Sequence, residues 1–131
     1  MAVGLYALIR LSSRLYTLRV LLAIRCLSTW SAYVTRYLQE EKKEFVLSKQ
    51  ILRSGTSIGA NTRERKNAQS KADFINKLHI ALKEADETLY WLELFVESEI
   101  ITQSEFDSLA ADLKEISALL ASSIKTSKNN K

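Results

Sequence analysis

No proline interrupts this chain, and its 131 residues hold only three glycines, Gly4, Gly55 and Gly59. A sheet protein needs such turn residues at short, regular intervals, so strands joined by tight turns are excluded and the chain reads as all-α. Its length is one domain's worth, enough to bury a core without a metal or disulfide to hold it. Cys26 is the only cysteine and His79 the only histidine. That excludes an intramolecular disulfide and leaves no cluster of transition-metal ligands, so no metal or other cofactor is expected.

Apolar residues at alternating steps of four and three lay out the helices. Tyr16, Val20, Ala23, Leu27, Trp30, Val34 and Tyr37 share one face of a first helix that ends near Gln39. After a charged turn, Gln39 to Glu44, a second helix is expected from about Lys43 to Lys66, its stripe centred on Leu47, Ile51, Ser54, Ile58 and Asn61. Gly55 and Gly59 lie just beside that stripe. A mid-helix glycine costs about 1 kcal/mol relative to alanine, so two of them four residues apart predict close approach by a neighbouring helix, with a local kink as the alternative. Asn61, placed on the buried stripe, must find hydrogen-bond partners, as a satisfied structural amide or as a residue that sets helix register.

Ser70 followed by Asp73 is a capping-box-like start for a third helix running to about Ser98. Its core face comprises Phe74, Leu78, Ala81, Leu82, Ala85, Leu89, Leu92 and Val96. A second stripe, Ile80, Glu84, Glu87, Trp91 and Leu94, lies more than about 100° away, and a helix with two such faces is buried on two sides. Ile80, Trp91 and Leu94 are therefore candidates for an oligomer interface centred on Trp91; the alternative is a tryptophan covering the edge of its own core. Thr102 and Glu105 form a capping box for a fourth helix, whose heptad runs Phe106, Leu109, Leu113, Ile116, Leu120 and Ser123. The tail, Lys125 to Lys131, reads as polar, basic and frayed.

The fold expected is an up-down-up-down four-helix bundle over residues 29–124, with an N-terminal helical extension over 1–28 and a basic tail over 125–131. The extension is amphipathic and unusual in charge, because residues 1–39 hold five arginines, no lysine and no acid. Such a segment resembles an organelle-targeting sequence and is also suited to an anionic membrane surface. The stronger reading is a helix whose apolar face packs on the bundle or on a neighbouring subunit. A start read too far upstream, leaving residues 1–28 without an evolved role, is a further alternative. The longest uncharged run, Cys26 to Thr35, is ten residues against about 20 needed to span a bilayer, so membrane insertion is not expected and the location is read as cytoplasmic.

Two blocks carry a family likeness. Gln50-Ile51-Leu52-Arg53-Ser54-Gly55-Thr56-Ser57-Ile58-Gly59-Ala60-Asn61 is followed by Phe74-Ile75-Asn76-Lys77-Leu78-His79-Ile80-Ala81-Leu82 and then Glu87. From about Tyr33 to Ser122 the chain resembles the four-helix-bundle proteins first met as open reading frames in 23S rRNA intervening sequences. The resemblance implies assembly as a ring-like homopentamer, and it singles out Arg53, Asn61 and Glu87 as an internal or intersubunit polar network. A more distant likeness is to the accessory protein of diversity-generating retroelements, which implies RNA or DNA and a nucleic-acid-processing protein as partners. Thr62-Arg63-Glu64-Arg65 departs from the family pattern and keeps only its glutamate, and residues 1 to about 28 have no counterpart in it.

Charge is segregated along the sequence. Arg63 to Lys83 holds six basic residues and two acids, whereas Glu84 to Glu115 holds one basic residue and ten acids. In the expected bundle the turn between helices 2 and 3 lies at the same pole as the start of helix 1 and the end of helix 4. Arg63, Arg65, Lys66 and Lys71 would converge there and, in a cyclic oligomer, form a basic ring suited to a phosphate backbone; the alternative is a solvated polar end. Catalysis has little support: no serine has a nearby histidine partner, no glycine loop cradles a phosphate, and the Glu-x-x-His ligand pattern of bundle metalloenzymes is missing. The protein is therefore read as a non-enzymatic homo-oligomeric interaction module, with a nucleic-acid-binding accessory protein as the alternative.

Overall fold

The computed structural model describes the backbone of residues 2–130 and the side chains of residues 14–130. Its helices are α1 (Ala2–Glu40), α2 (Leu47–Glu64), α3 (Lys71–Glu97) and α4 (Gln103–Asn129), with one 3₁₀ turn, Arg65–Asn67, after α2. Contacts join α1 to α2, α2 to α3, α3 to α4 and α4 back to α1, with no diagonal pair among the described residues. Short connections and sequential neighbours make this an up-down-up-down four-helix bundle. At 1.5 Å per residue α3 and α4 are about 40 Å long and α1 about 58 Å, so the start of α1 overreaches the bundle.

The core runs along the axis through Val20, Ile24, Leu27, Val34 and Leu38 of α1, Ile51 and Ile58 of α2, Leu78, Ala81, Ala85, Leu92 and Phe95 of α3, and Leu113, Ile116, Leu120 and Ile124 of α4. Its position corrects the expected faces by one residue in several places. On α1 the four-three stripe is Val20, Ile24, Leu27, Ser31, Val34 and Leu38, while Tyr16 and Tyr37 are exposed. Large aromatics at the margin of a face read as core in a pattern; in space they reach outward. On α2 Thr62 takes the buried place assigned to Asn61, which is half-buried and donates from Nδ2 to the Ser57 carbonyl at 2.9 Å. On α3 Thr88 and Phe95 are fully buried, and on α4 Ile124 rather than Ser123 closes the stripe.

Element ends follow local chemistry. Lys43 adopts a left-handed φ of 55° that reverses the chain, so α2 starts at Leu47, not Lys43. Glu44 does the work of a cap: its carboxylate accepts from the Val46 amide at 3.1 Å and the Ser48 amide at 2.8 Å. Desolvation pushes its pKa up, but bonds from the amides of Leu47, Ser48 and Val46 outweigh that and hold it below the ordinary carboxylate value. Ser70 caps α3 by accepting from the Asp73 amide, and Thr102 with Glu105 forms the complete capping box of α4. α4 continues to Asn129, so residues 125–129 are helical rather than frayed; Lys131 lies outside the described residues. α1 is unbroken at residue 28, and Val20, Ile24 and Leu27 within the segment set apart as an extension are core.

Candidate functional site

Small and hydroxylated residues line the seam between α1 and α2. A β-carbon on Gly55 would overlap Ser31 Oγ, and one on Gly59 would lie 3.1 Å from Ser28 Oγ and 3.3 Å from Ile24 Cγ2. Ser28 Oγ reaches the Gly55 carbonyl at 3.4 Å, Thr35 Oγ1 donates to the Ser31 carbonyl at 2.7 Å and lies 3.1 Å from the Ser48 carbonyl, and Gln39 Nε2 donates to Ser48 Oγ at 3.2 Å. Ser31, Thr35 and Ser48 were not anticipated from the sequence, although their spacing of three and four against the glycines of α2 is a legible signal.

Where this seam reaches the α2 end it opens into a groove of about 380 Å³, with Arg25 and Ser28 from α1, Thr56, Gly59, Ala60 and Arg63 from α2, and Arg65 and Lys66 from the 3₁₀ turn among its lining residues. Four cations and no acid face it. Arg65 Nη1 donates to the Thr62 carbonyl, closing the C-terminal end of α2. Among the described residues the ion pairs are Arg19–Glu115, Arg53 with Glu84 and Glu87, and Lys77–Glu64; Arg25, Arg63 and Lys66 are in none of them. Lys71, the first residue of α3, is exposed and does not line the groove. No cluster of three or more metal-ligating side chains occurs among the described residues.

On the other flank of α2, Arg53 reaches across to α3. Its Nη1 lies 3.2 Å from both Glu84 carboxylate oxygens, its Nη2 bonds Glu87 Oε1, and Trp91 Nε1 donates to the same Glu87 oxygen at 3.3 Å. The bond from Arg53 is the main cause that holds the Glu87 carboxyl below its ordinary pKa, against desolvation, with Trp91 adding to it. Arg53 and Glu87 thus meet within one protomer, and Asn61 stands apart, bonded to its own helix. Ile80, Trp91 and Leu94 are each half-buried, Trp91 packs against the core, and its ring meets exposed Tyr90 edge-on at 5.0 Å between centroids.

A further surface is on α1. Leu15, Leu18, Leu22 and Tyr33 are 58%, 61%, 62% and 70% exposed. Their three-four spacing places them on one outward stripe with exposed Cys26, roughly 160° from the Val20–Ile24 core face. Arg14, Arg19, Arg25 and Arg36 are exposed charges beside it, Arg19 being paired with Glu115. The three-four spacing of these leucines is present in the sequence, where arginines interrupt it.

The family model described as 23S rRNA-intervening sequence protein matches residues 18–122. Among solved structures, the chain is similar to the crystal structure of a protein of unknown function from the S23 ribosomal protein family of Bacteroides thetaiotaomicron. Identity is 55% and the TM-score 0.76, over 81% of this chain and 98% of that one. No curated protein matches the chain. With the match running through all four helices and a relative of this identity sharing the fold, the chain belongs to the 23S rRNA-intervening sequence protein family.

Proposed function

We propose that the protein is a non-enzymatic, homo-oligomeric interaction module of the cytoplasm, a pentamer as the family resemblance implies. The observation that carries this reading is the outward stripe of α1: Leu15, Leu18 and Leu22 on successive turns, with Tyr33 further along the same face, are apolar and uncovered in one protomer. Contiguous exposed apolar surface marks an interaction site far more often than scattered leucines do. Arginines border the stripe, and on α3 Glu84 and Glu87, both paired with Arg53, share the face of half-buried Ile80, Trp91 and Leu94. Packing α1 of one copy against α3 of the next joins unlike surfaces, and such a head-to-tail contact makes a ring when the rotation between copies closes. No helix among the described residues is long and apolar enough to cross a membrane. Light scattering on the purified full chain tests the reading. An assembly mass that falls to one protomer on Leu18→Glu/Leu22→Glu supports it; a monomeric wild type at high concentration refutes it.

The second reading, a nucleic-acid-binding accessory protein, is favoured by the cations at the end of α2. Arg63 and Lys66 are exposed and, among the described residues, in no ion pair, with half-buried Arg65 between them. Salt-dependent binding of RNA or DNA that is lost when Arg63, Arg65 and Lys66 are neutralised together would support it, and no binding at low salt would remove it.

A further inference from the structure

We propose that the groove between α1 and α2 is a nucleotide site, taking the phosphate on Arg25, Arg63 and Lys66 and donor groups of the sugar or base on the hydroxyl oxygens of Ser28 and Thr56. The inference deepens the nucleic-acid reading by giving it a discrete pocket. It goes further in assigning a ligand to Arg25, Ser28 and Thr56, which lie on the seam and not on the basic pole alone.

Size and charge narrow the ligand first. A volume of about 380 Å³ lies at the small-ligand end of binding sites and accommodates one nucleotide unit. Arginine side chains without carboxylate partners, gathered on one rim, match the geometry of phosphate oxygens, which guanidinium groups bind by paired N–H bonds.

The hydroxyls then add polar contacts beyond those of the phosphate. Ser28 Oγ donates its proton to the Ile24 carbonyl at 3.2 Å, and Thr56 Oγ1 donates to the Leu52 carbonyl at 2.6 Å. A hydroxyl has one proton and two lone pairs, so both residues present acceptors to the groove. With those bonds kept, the free lone pairs receive N–H or O–H groups from a base or ribose. The floor between these acceptors and the cationic rim is kept open by Gly59, and Leu21 and Ile24 give it apolar surface.

Calorimetric titration of the purified full chain at about 50 mM salt tests this, with adenosine monophosphate, inorganic phosphate and a single-stranded RNA oligonucleotide as probes. Ala60→Glu puts an acid into the groove from an exposed helix position that leaves the core untouched. That variant and Arg25→Gln/Arg63→Gln are each expected to weaken binding about tenfold or more, whereas Lys49→Gln, which lowers the net charge by one as Ala60→Glu does but at the far end of α2, changes it less than about twofold. Binding of the free mononucleotide identifies a soluble ligand; binding of the oligonucleotide alone identifies a unit of a chain. Either supports the site. Inorganic phosphate that binds as well as the nucleotide, or no binding by any probe, overturns it. So does loss with Lys49→Gln equal to that of the groove variants, and RNA binding that persists in that case leaves the broader nucleic-acid reading standing.

Discussion

Ser31 of α1 occupies the space that a β-carbon on Gly55 of α2 would fill. Ser31 is fully buried, and its Oγ is tied to the Leu27 carbonyl at 2.8 Å, so it has little freedom to move aside. The glycine therefore sets how closely the first two helices approach, and the conformational cost of a glycine in mid-helix is offset by that packing.

Gly55→Ala gains about 1 kcal/mol of helix propensity and loses more to overpacking, for a net destabilisation of about 1–2 kcal/mol. Gly55→Ala combined with Ser31→Gly relieves the overlap and recovers part of the loss. Gly59→Ala, whose added carbon meets only the Ser28 hydroxyl and an Ile24 methyl at 3.1 and 3.3 Å, changes stability far less. Urea denaturation of the three variants checks the order, and equal stability of Gly55→Ala and wild type would show that the seam yields more easily than its geometry implies.

Glu44 is expected to behave as the cap of α2 despite preceding the helix by three residues. Glu44→Ala leaves two of the first amides without their partner and costs about 1 kcal/mol by chemical denaturation. Because its folded pKa is lowered, this contribution is present above the ordinary carboxylate range and disappears as pH falls through the folded value.

Glu87 is held below its ordinary pKa chiefly by Arg53, so the same sign applies: the ion pair stabilises at neutral pH and is lost on acidification through the lowered pKa. Arg53 is about half exposed and keeps Glu84 as a second partner, so Glu87→Gln costs under about 1 kcal/mol near neutral pH and converges with wild type in acid. Denaturation curves at the two pH values measure the difference. Glu87→Ala with stability and assembly mass both unchanged would remove the polar network from any structural role.

Leu22→Glu alone should raise the dissociation constant of the oligomer by at least about tenfold while leaving the far-ultraviolet helical signal intact, because the side chain is outside the core. Sedimentation velocity over a dilution series measures both. Unchanged assembly would move the interface away from α1.

Much of the fold was legible one residue at a time. Missing proline, the capping pairs at Ser70 and Thr102 and the four-three runs of α3 and α4 are local signals, each set by the geometry of one helix. Boundaries without a local signal were harder: Lys43 ends its turn in a left-handed conformation, and no residue type announces that. The candidate sites were legible in type but not in grouping. Arg63, Arg65 and Lys66 stood out as charges, whereas Arg25, Ser28 and Thr56 join them only because α1 runs antiparallel to α2.

The sequence by itself determined the helical class, the number of helices and the small-residue positions that let two of them approach, because periodicity and missing side chains act within a single helix. Tertiary structure decided which face of each helix is buried. On α1 two stripes of comparable apolarity lie on opposite sides, one through Val20 and Ile24 and one through Leu18 and Leu22. Which of them turns inward depends on what α2 and α4 present to it: the first carries Ser31, which fits against Gly55, and the second is left exposed in the protomer.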